Sequence, residues 1–456
     1  MPASRLSNLF GLLLALVLGA CSTAEADEPG GTVLTNFTLI DGTERPPVPD
    51  AAMIIGGDGR IAWVGPATQL QAPAGSETID LAGQYVIPGL IDLHVHLAIS
   101  DGLATDPALL TPENIERDLR TYAAYGVTAV QVMGTDRDDI YAIRDAQRTG
   151  RPESARIFTS GQGIVFEGGY GGAPGVNRPV STPEEAAAEV DRQAANGADF
   201  IKFWVDDELG TMPAMPPEIS AAVIEAAHRH GLRAIAHIFY LEDAKRLVEQ
   251  GVDGLAHGVR DRPVDAELIE AMRDRGTWQV AETLSREASM FAYGEPAPFL
   301  GDPFFTRSVR PEVLARLRSP EHQARIASNP HFHDFPRFLE MAKTNLRRLA
   351  DGGVRIGFGT DSGPISRFPG YFAHWELQQL VDAGFTPAEA IRMATGQAAE
   401  FLRAEDLGTL EPGHWADLVV LEADPLADIS NSRTIRSVYI AGRPVPLDLN
   451  RGAGEG

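Results

Sequence analysis

Cysteine is almost absent from this chain: Cys21 stands alone in 456 residues. One thiol cannot close an internal disulfide, so a disulfide-stapled scaffold is excluded. Lysine is nearly as scarce. Of 39 basic side chains only Lys202, Lys245 and Lys343 are lysines, and the others are arginines. Positive charge as a whole is in deficit, with 63 acidic residues and a formal net charge of −24, which speaks against a nucleic-acid partner. The apolar run Leu9 to Leu18 is shorter than the roughly 20 residues that a membrane-spanning helix needs.

That run follows Arg5 and has the form of a secretory signal peptide over residues 1–20. Leu18-Gly19-Ala20-Cys21 comes next and resembles a bacterial lipoprotein box. Lipidation of Cys21, with cleavage before it, accounts both for a single cysteine and for its place in the leader. Residues 21–30 then read as a polar tether. Ser22 after the cysteine resembles lipoproteins sorted to the outer membrane, so the expected location is the periplasmic face of that membrane. Cleavage at Ala24-Glu25-Ala26 would instead give a soluble periplasmic protein.

What is present is globular: 44% hydrophobic and 22% charged residues, with 46 glycines and 32 prolines. Residues 31–88 alternate short β-type runs with turns, and Gly56-Gly57-Asp58-Gly59 marks a hairpin. Residues 402–446 have the same texture. Neither piece is long enough to bury a core, so together they predict a small β-sandwich built from both ends of the chain. Between them, strands alternate with helical patterns: Leu90–His96, Val127–Met133, Arg156–Gly161, Asp199–Val205, Arg233–Ile238, Gly254–His257, Trp278–Glu282 and Arg355–Asp361. Eight strands with helical crossovers predict an α/β fold, a (β/α)8 TIM barrel over residues 89–401. An insertion over residues 285–353, rich in Phe, Pro and Arg, predicts a cap over its mouth.

Several polar residues fall at the carboxyl ends of these strands, where barrel enzymes assemble their sites. His94 and His96 are two apart on strand one and share a face. Lys202 lies in Phe200-Ile201-Lys202-Phe203-Trp204-Val205 on strand four, His237 and His257 end strands five and six, and Asp361 closes strand eight in Gly359-Thr360-Asp361. Imidazole and carboxylate suit zinc or a similar borderline metal. Lys202 is the most informative member. Apolar neighbours favour its neutral amine, which can add CO2 to become a carbamate, an anionic ligand able to bridge two metals.

These stretches, with Pro88-Gly89-Leu90-Ile91-Asp92-Leu93-His94-Val95-His96 and Ala416-Asp417-Leu418-Val419-Val420-Leu421, resemble the amidohydrolase superfamily. The resemblance is to its subtype with two metals bridged by a carboxylated lysine, in the imidazolonepropionase-like and Xaa-Pro-dipeptidase-like branch, and it covers residues 31 to 446. It implies two divalent ions, zinc first with manganese, iron or cobalt as alternatives. His94, His96 and Asp361 would hold the more buried ion, His237 and His257 the other, and carboxylated Lys202 would bridge them. It implies further that a bridging hydroxide attacks the substrate carbonyl while Asp361 carries the proton to the leaving amine.

Three residues are candidates for substrate contact: Tyr240 three after His237, Arg260 three after His257 as a bidentate carboxylate clamp, and Tyr170 in Gly168-Gly169-Tyr170-Gly171-Gly172. Relatives often carry His at this last place. His331 and His333 lie in the insertion, His228 and His230 end a helix, His414 belongs to a turn, and Lys245 and Lys343 read as helix-surface residues. His374 is a candidate neighbour of the ligands.

The expected activity is hydrolysis of an amide bond in a small molecule such as a dipeptide or N-acyl amino acid. A lactonase or phosphotriesterase on the same ligands, and a non-catalytic envelope binding lipoprotein, are the rival readings. Membrane contact is expected only through the lipid anchor. Association into a homo-oligomer is common among such barrels.

Overall fold

The computed structural model describes residues 31–449 apart from 172 and 174. The signal peptide, Cys21 and the whole tether therefore lie outside the described residues. Among those described, no helix is long and apolar enough to cross a membrane.

Both chain ends enter one seven-stranded sheet. Its order is Arg443–Pro444, Ile435–Ile440, Leu418–Leu421, Glu77–Pro88, Thr32–Leu39, Val48–Ile55 and Ile61–Pro66. The hairpin at Gly56 to Gly59 forms as expected, with Gly59 at φ +85° and its amide on the Gly56 carbonyl. The sheet closes back on itself where the Ile61 amide meets the His414 carbonyl at 2.9 Å and the Gly413 amide meets that of Ile61 at 2.8 Å. Leu34, Phe37, Met53, Ile61, Val86, Leu418 and Val420 form the core it encloses. The small domain is thus one folded sheet with an interior contributed by both ends.

Glu77–Pro88 is the junction. It pairs with Leu418–Leu421 on one side and Thr32–Leu39 on the other, and only Gly89 separates it from Leu90–Val95, the first barrel strand. A side chain at Gly89 would run into Thr128, so glycine is required where the chain crosses between domains.

The barrel then proceeds through Val127–Val132, Arg156–Thr159, Ile201–Trp204, Ala234–His237, Gly254–Ala256 and Trp278–Ala281 in parallel order. Two departures from expectation occur. The third strand is continued by Ile164–Phe166, which bridges to Phe203 and carries an extra neighbour, Arg178–Val180. The eighth, around residues 355–362, is not a regular strand. It bonds on one side through Gly357 N to Gln279 O (2.8 Å) and on the other through Leu93 N to Phe358 O (2.8 Å) and Asp361 N to His94 O (2.7 Å). Gly357 and Gly359 let this segment pass against Val280 and His94 at distances that a Cβ would forbid, and glycine weakens regular pairing. These bonds close the barrel all the same.

The crossover helices begin where the sequence signals them. Pro183–Ala195 and Pro112–Ala124 start on Thr182 and Thr111, whose hydroxyls accept from the amides of Glu185 and Asn114, with proline at the first helical position. The insertion is helical too. Pro303–Thr306, Pro311–Leu317 and Pro320–Ala327 each start on proline, and Phe305, Val313 and Leu317 pack with Tyr125, Tyr293, Phe368 and Phe372. Its last helix, Phe335–Asp351, is the barrel's seventh crossover and places Phe335 and Phe338 against Phe239, two residues beyond His237.

Candidate metal centre

Strands four, five and six place their polar residues by register. Trp204 lies opposite His237, and His237 opposite Ala256, so Lys202, His237 and His257 arrive at one end of the sheet. Phe200 and Ile235 precede Lys202 and His237 by two residues on the same strand faces, and they join Leu93, Met133, Ala256 and Val280 in an apolar cluster. The polar groups therefore stand above an apolar floor.

The structure brings all six predicted ligand residues together. His94, His96 and Asp361 offer donor atoms within 4.8 Å of one another. His96 Nε2 is 2.9 Å from Asp361 Oδ1 and His94 Nε2 is 3.6 Å from it. The His257 ring lies 4.7 Å from that of His94 and 4.3 Å from that of His237. All six residues are at most 5% exposed, so solvent screens little between them.

Each imidazole is aimed by a partner on its far nitrogen or left bare there. Thr135 Oγ1 is 2.8 Å from His96 Nδ1, and Thr283 Oγ1 is 2.7 Å from His257 Nδ1. Asp206 Oδ2 lies 2.9 Å from His237 Nε2, while His94 Nδ1 has no partner. Asp92, behind the first strand, accepts from the amides of His94 and Thr360 and from the Thr360 hydroxyl, tying strands one and eight together. Backbone conformation is spent here as well. His257, Thr283 and Asp361 all have positive φ, at 66°, 62° and 56°. For β-branched Thr283 in particular this is strain of about 1–3 kcal/mol.

Lys202 is fully buried and its Nζ has no hydrogen-bond partner. Burial brings the amine down to about 7, against the pull of Asp361 and Asp206. The Trp204 ring lies 4.9 Å from Nζ. Gly134, at φ +86°, passes beneath at a distance where a Cβ would meet Trp204 and Lys202. Burial also lowers the histidines, His237 to about 4 despite Asp206, and His94 and His257 well below the usual range. Burial alone would raise the Asp361 carboxyl, but Arg367, His94 and His96 outweigh it and hold it well below the usual carboxylate range. The lining is thus neutral imidazole and amine beside anionic carboxylate, the protonation states that metal ligation requires.

These side chains fit the implied ions. The buried Lys202 Nζ, without a partner, costs roughly 1–3 kcal/mol unless something engages it. The converged nitrogen and oxygen donors suit a borderline divalent metal.

The candidate substrate residues are placed less uniformly. Tyr170 is half-buried with its ring edge-on to His237 at 5.2 Å, and burial pushes its hydroxyl up. Tyr240 donates to Asp207 Oδ1 at 2.8 Å. Arg260 is buried, paired with Glu287 and donating to the Ile238 carbonyl, so its guanidinium is already engaged. Two other arginines reach the ligands instead. Arg367 forms an ion pair with Asp361 Oδ2, and Arg286 Nε stands 3.5 Å from the same oxygen.

Neither arginine carried a signal in the sequence, because both sit in connections after strands seven and eight. Asp206 was closer to legible, being the second residue after Ile201–Trp204 ends. His374 lies apart from the ligands, with its ring nitrogens on Ser432 and the Tyr125 carbonyl. His228 and His230 pair with Asp253 and Asp191, and His331 with Asp334, all on exposed helix ends or turns.

A model of the amidohydrolase family matches residues 85–445. The chain is 26% identical over 422 residues to an imidazolonepropionase of Cutibacterium acnes, covering 86% of this chain and 89% of that protein. It is 25% identical over 452 residues to an ochratoxinase of Aspergillus niger, covering 89% and 84%. The fold superposes on a Xaa-Pro dipeptidase crystallised with methionine in its active site, with a TM-score of 0.70, 26% identity, and coverage of 91% and 99%.

Proposed function

This chain belongs to the amidohydrolase family and is a hydrolase of carbon–nitrogen bonds, and from that premise we propose that it cleaves an amide bond in a dipeptide or N-acyl amino acid. In this reading His94, His96, His237, His257, Asp361 and Lys202, the last as its carbamate, would hold two divalent ions. The observation that carries it is the Lys202 amine, buried without a partner among His94, His237, His257 and Asp361. An amine brought down to about 7 is about half neutral at that pH and increasingly neutral above it, and a neutral amine adds CO2 with loss of one proton.

His94, His96 and Asp361 would hold one ion and His237 and His257 the other, with the Lys202 carbamate between them. Divalent ions held there supply Lewis acidity and bring the pKa of water toward neutrality. The chain's own part is to orient and to move a proton. Asp361 takes it from the attacking water and delivers it to the departing nitrogen as the C–N bond breaks, so water and amide yield one acid and one amine. Thr135, Asp206 and Thr283 keep the imidazoles turned inward. Tyr170, beside His237, borders the place where a substrate carbonyl would lie.

Elemental analysis of the chain, purified with bicarbonate and without chelators, should give two metals, and 13C-bicarbonate should yield a carbamate signal lost in Lys202→Ala. A screen of dipeptides and acylated amino acids should then find turnover. Two metals with no hydrolysis of any amide would overturn the reading. Export and lipid attachment at Cys21 belong to the same proposal: a labelled fatty acid should tag the wild-type chain and not Cys21→Ser.

A further inference from the structure

Three guanidinium groups near the ligands share two carboxylates. Glu287 is fully buried between Arg260 and Arg286 and pairs with both. Asp361 Oδ2 faces Arg367 in an ion pair and Arg286 Nε at 3.5 Å, while its other oxygen faces His96. Asp361 is also one of the three grouped donors that suit a cation. Once its charge is committed to a divalent ion, Glu287 is the one other carboxylate among the described residues in ion-pair contact with these arginines. It reaches Arg260 and Arg286 but not Arg367, while Asp206 acts on Arg260, and Glu208 on Arg260 and Arg286, only from longer range.

Two guanidinium groups beside a divalent ion repel it and one another unless an anion joins them. The groups are mostly buried, Arg286 at 14% and Arg367 at 18% side-chain exposure, so water does not dissipate that repulsion. Arg286 Nε is buried and makes no hydrogen bond, so one donor of its planar fork is unspent. The two come from separate connections, Arg286 from the helix Leu284–Ala292 and Arg367 from the segment before Tyr371–Asp382, and meet only at this oxygen.

We infer that Arg286 and Arg367 form the subsite for the carboxylate of the substrate, next to the ligand cluster, and that they set the preference for substrates carrying that group. The inference rests on the amide-hydrolase reading above and names the residues that select its substrate class. Planar guanidinium forks match a carboxylate in paired hydrogen bonds, which a lysine ammonium cannot do. Arg260 serves as a positioning residue: it anchors Glu287, and Glu287 holds Arg286 in place.

The test is binding, read without turnover. A panel of N-acetyl amino acids and the matching carboxamides is titrated by calorimetry into the metal-loaded full chain. At least one acid should bind tenfold or more tighter than its carboxamide. Arg286→Gln and Arg367→Gln should each weaken that acid about tenfold, leaving the carboxamide within twofold and the metal content unchanged. No tenfold preference anywhere in the panel, or a preference that survives in a metal-replete double variant, overturns the assignment. Should the variants lose metal or fold, the unmutated protein decides. Modification of Arg286 and Arg367 by phenylglyoxal, followed by peptide mass spectrometry, should slow at least fivefold with saturating acid and not with carboxamide, and equal rates overturn the assignment. Failure of the amide-hydrolase reading would appear separately, as absence of hydrolysis with the acid preference intact.

Discussion

His94, His96 and Asp361 already touch one another, whereas His237 and His257 each look to a different neighbour outside the ligand set and the Lys202 amine to none. The first group sits on two adjoining segments, and the bond from Asp361 N to His94 O fixes one ligand directly against another. Asp92 adds two hydrogen bonds from Thr360 across the same pair of segments and a third from His94 within its own strand. The second group is spread over three strands and depends on side chains outside the ligand set, Asp206 and Thr283, together with an amine that has no partner at all. One half of the centre is therefore organised by the backbone before any ion arrives. The other half is organised by its surroundings and, in the proposed reading, would be completed by carboxylation of Lys202.

The sharpest way to break that contrast is to remove a member of the backbone-built half. Asp361→Asn should abolish hydrolysis, by roughly 10³-fold or more given the several kcal/mol that a metal centre supplies, and elemental analysis should show both ions reduced. Lys202→Ala should act more selectively. One ion should remain at His94, His96 and Asp361, activity should fall by about 10²-fold, and millimolar formate or acetate should restore part of it. Full activity without added acid would remove the bridging role.

Smaller effects test the supporting residues. Asp206→Asn should weaken the ion held by His237 and His257 by about 10–100-fold in competition with a chelator, with the other ion unaffected. Thr135→Val, on the backbone-built side, should cost about tenfold or less, because its hydroxyl is the weaker orienting partner and the carboxylate of Asp361 already holds His96. Equal losses in the two variants would erase the distinction between the halves.

The smallest effect is on stability without metal. Lys202 has its folded pKa lowered to about 7 from 10.5, so between those values the unfolded chain binds a proton that the folded chain does not. Stability of the chelated protein should therefore rise with pH across that window. The melting temperature of wild type should climb relative to Lys202→Met from pH 7 to pH 10, and parallel curves would refute the depressed amine.

Much of this was legible in the sequence because the polar residues fall at strand ends in a fixed order, and strand ends are where a barrel converges. His94 and His96 were betrayed by their spacing, Lys202 by its apolar flanks and by the rarity of lysine. The supporting residues gave no such signal. Thr135 and Thr283 act through loop conformations and Arg286 from the helix that follows strand seven, and the positive φ of Thr283 cannot be read from a β-branched residue. Arg260 looked like a carboxylate clamp by position, yet Glu287, 27 residues further on, claims it. The eighth strand was foreseen by composition, but its two glycines turn it into a set of isolated bonds.

The junction at Gly89 bears on how the protein comes to exist. Glu77–Pro88 runs straight into the strand that carries His94, and one of its partners is Leu418–Leu421. A chain made from its amino end displays the histidine pair early, while the β-strand that braces the approach to it is synthesised roughly 320 residues later. Pairings so distant in sequence form slowly, since the intervening chain must first be closed into a loop. A product truncated before residue 418 would therefore present the histidines without the frame that aims them.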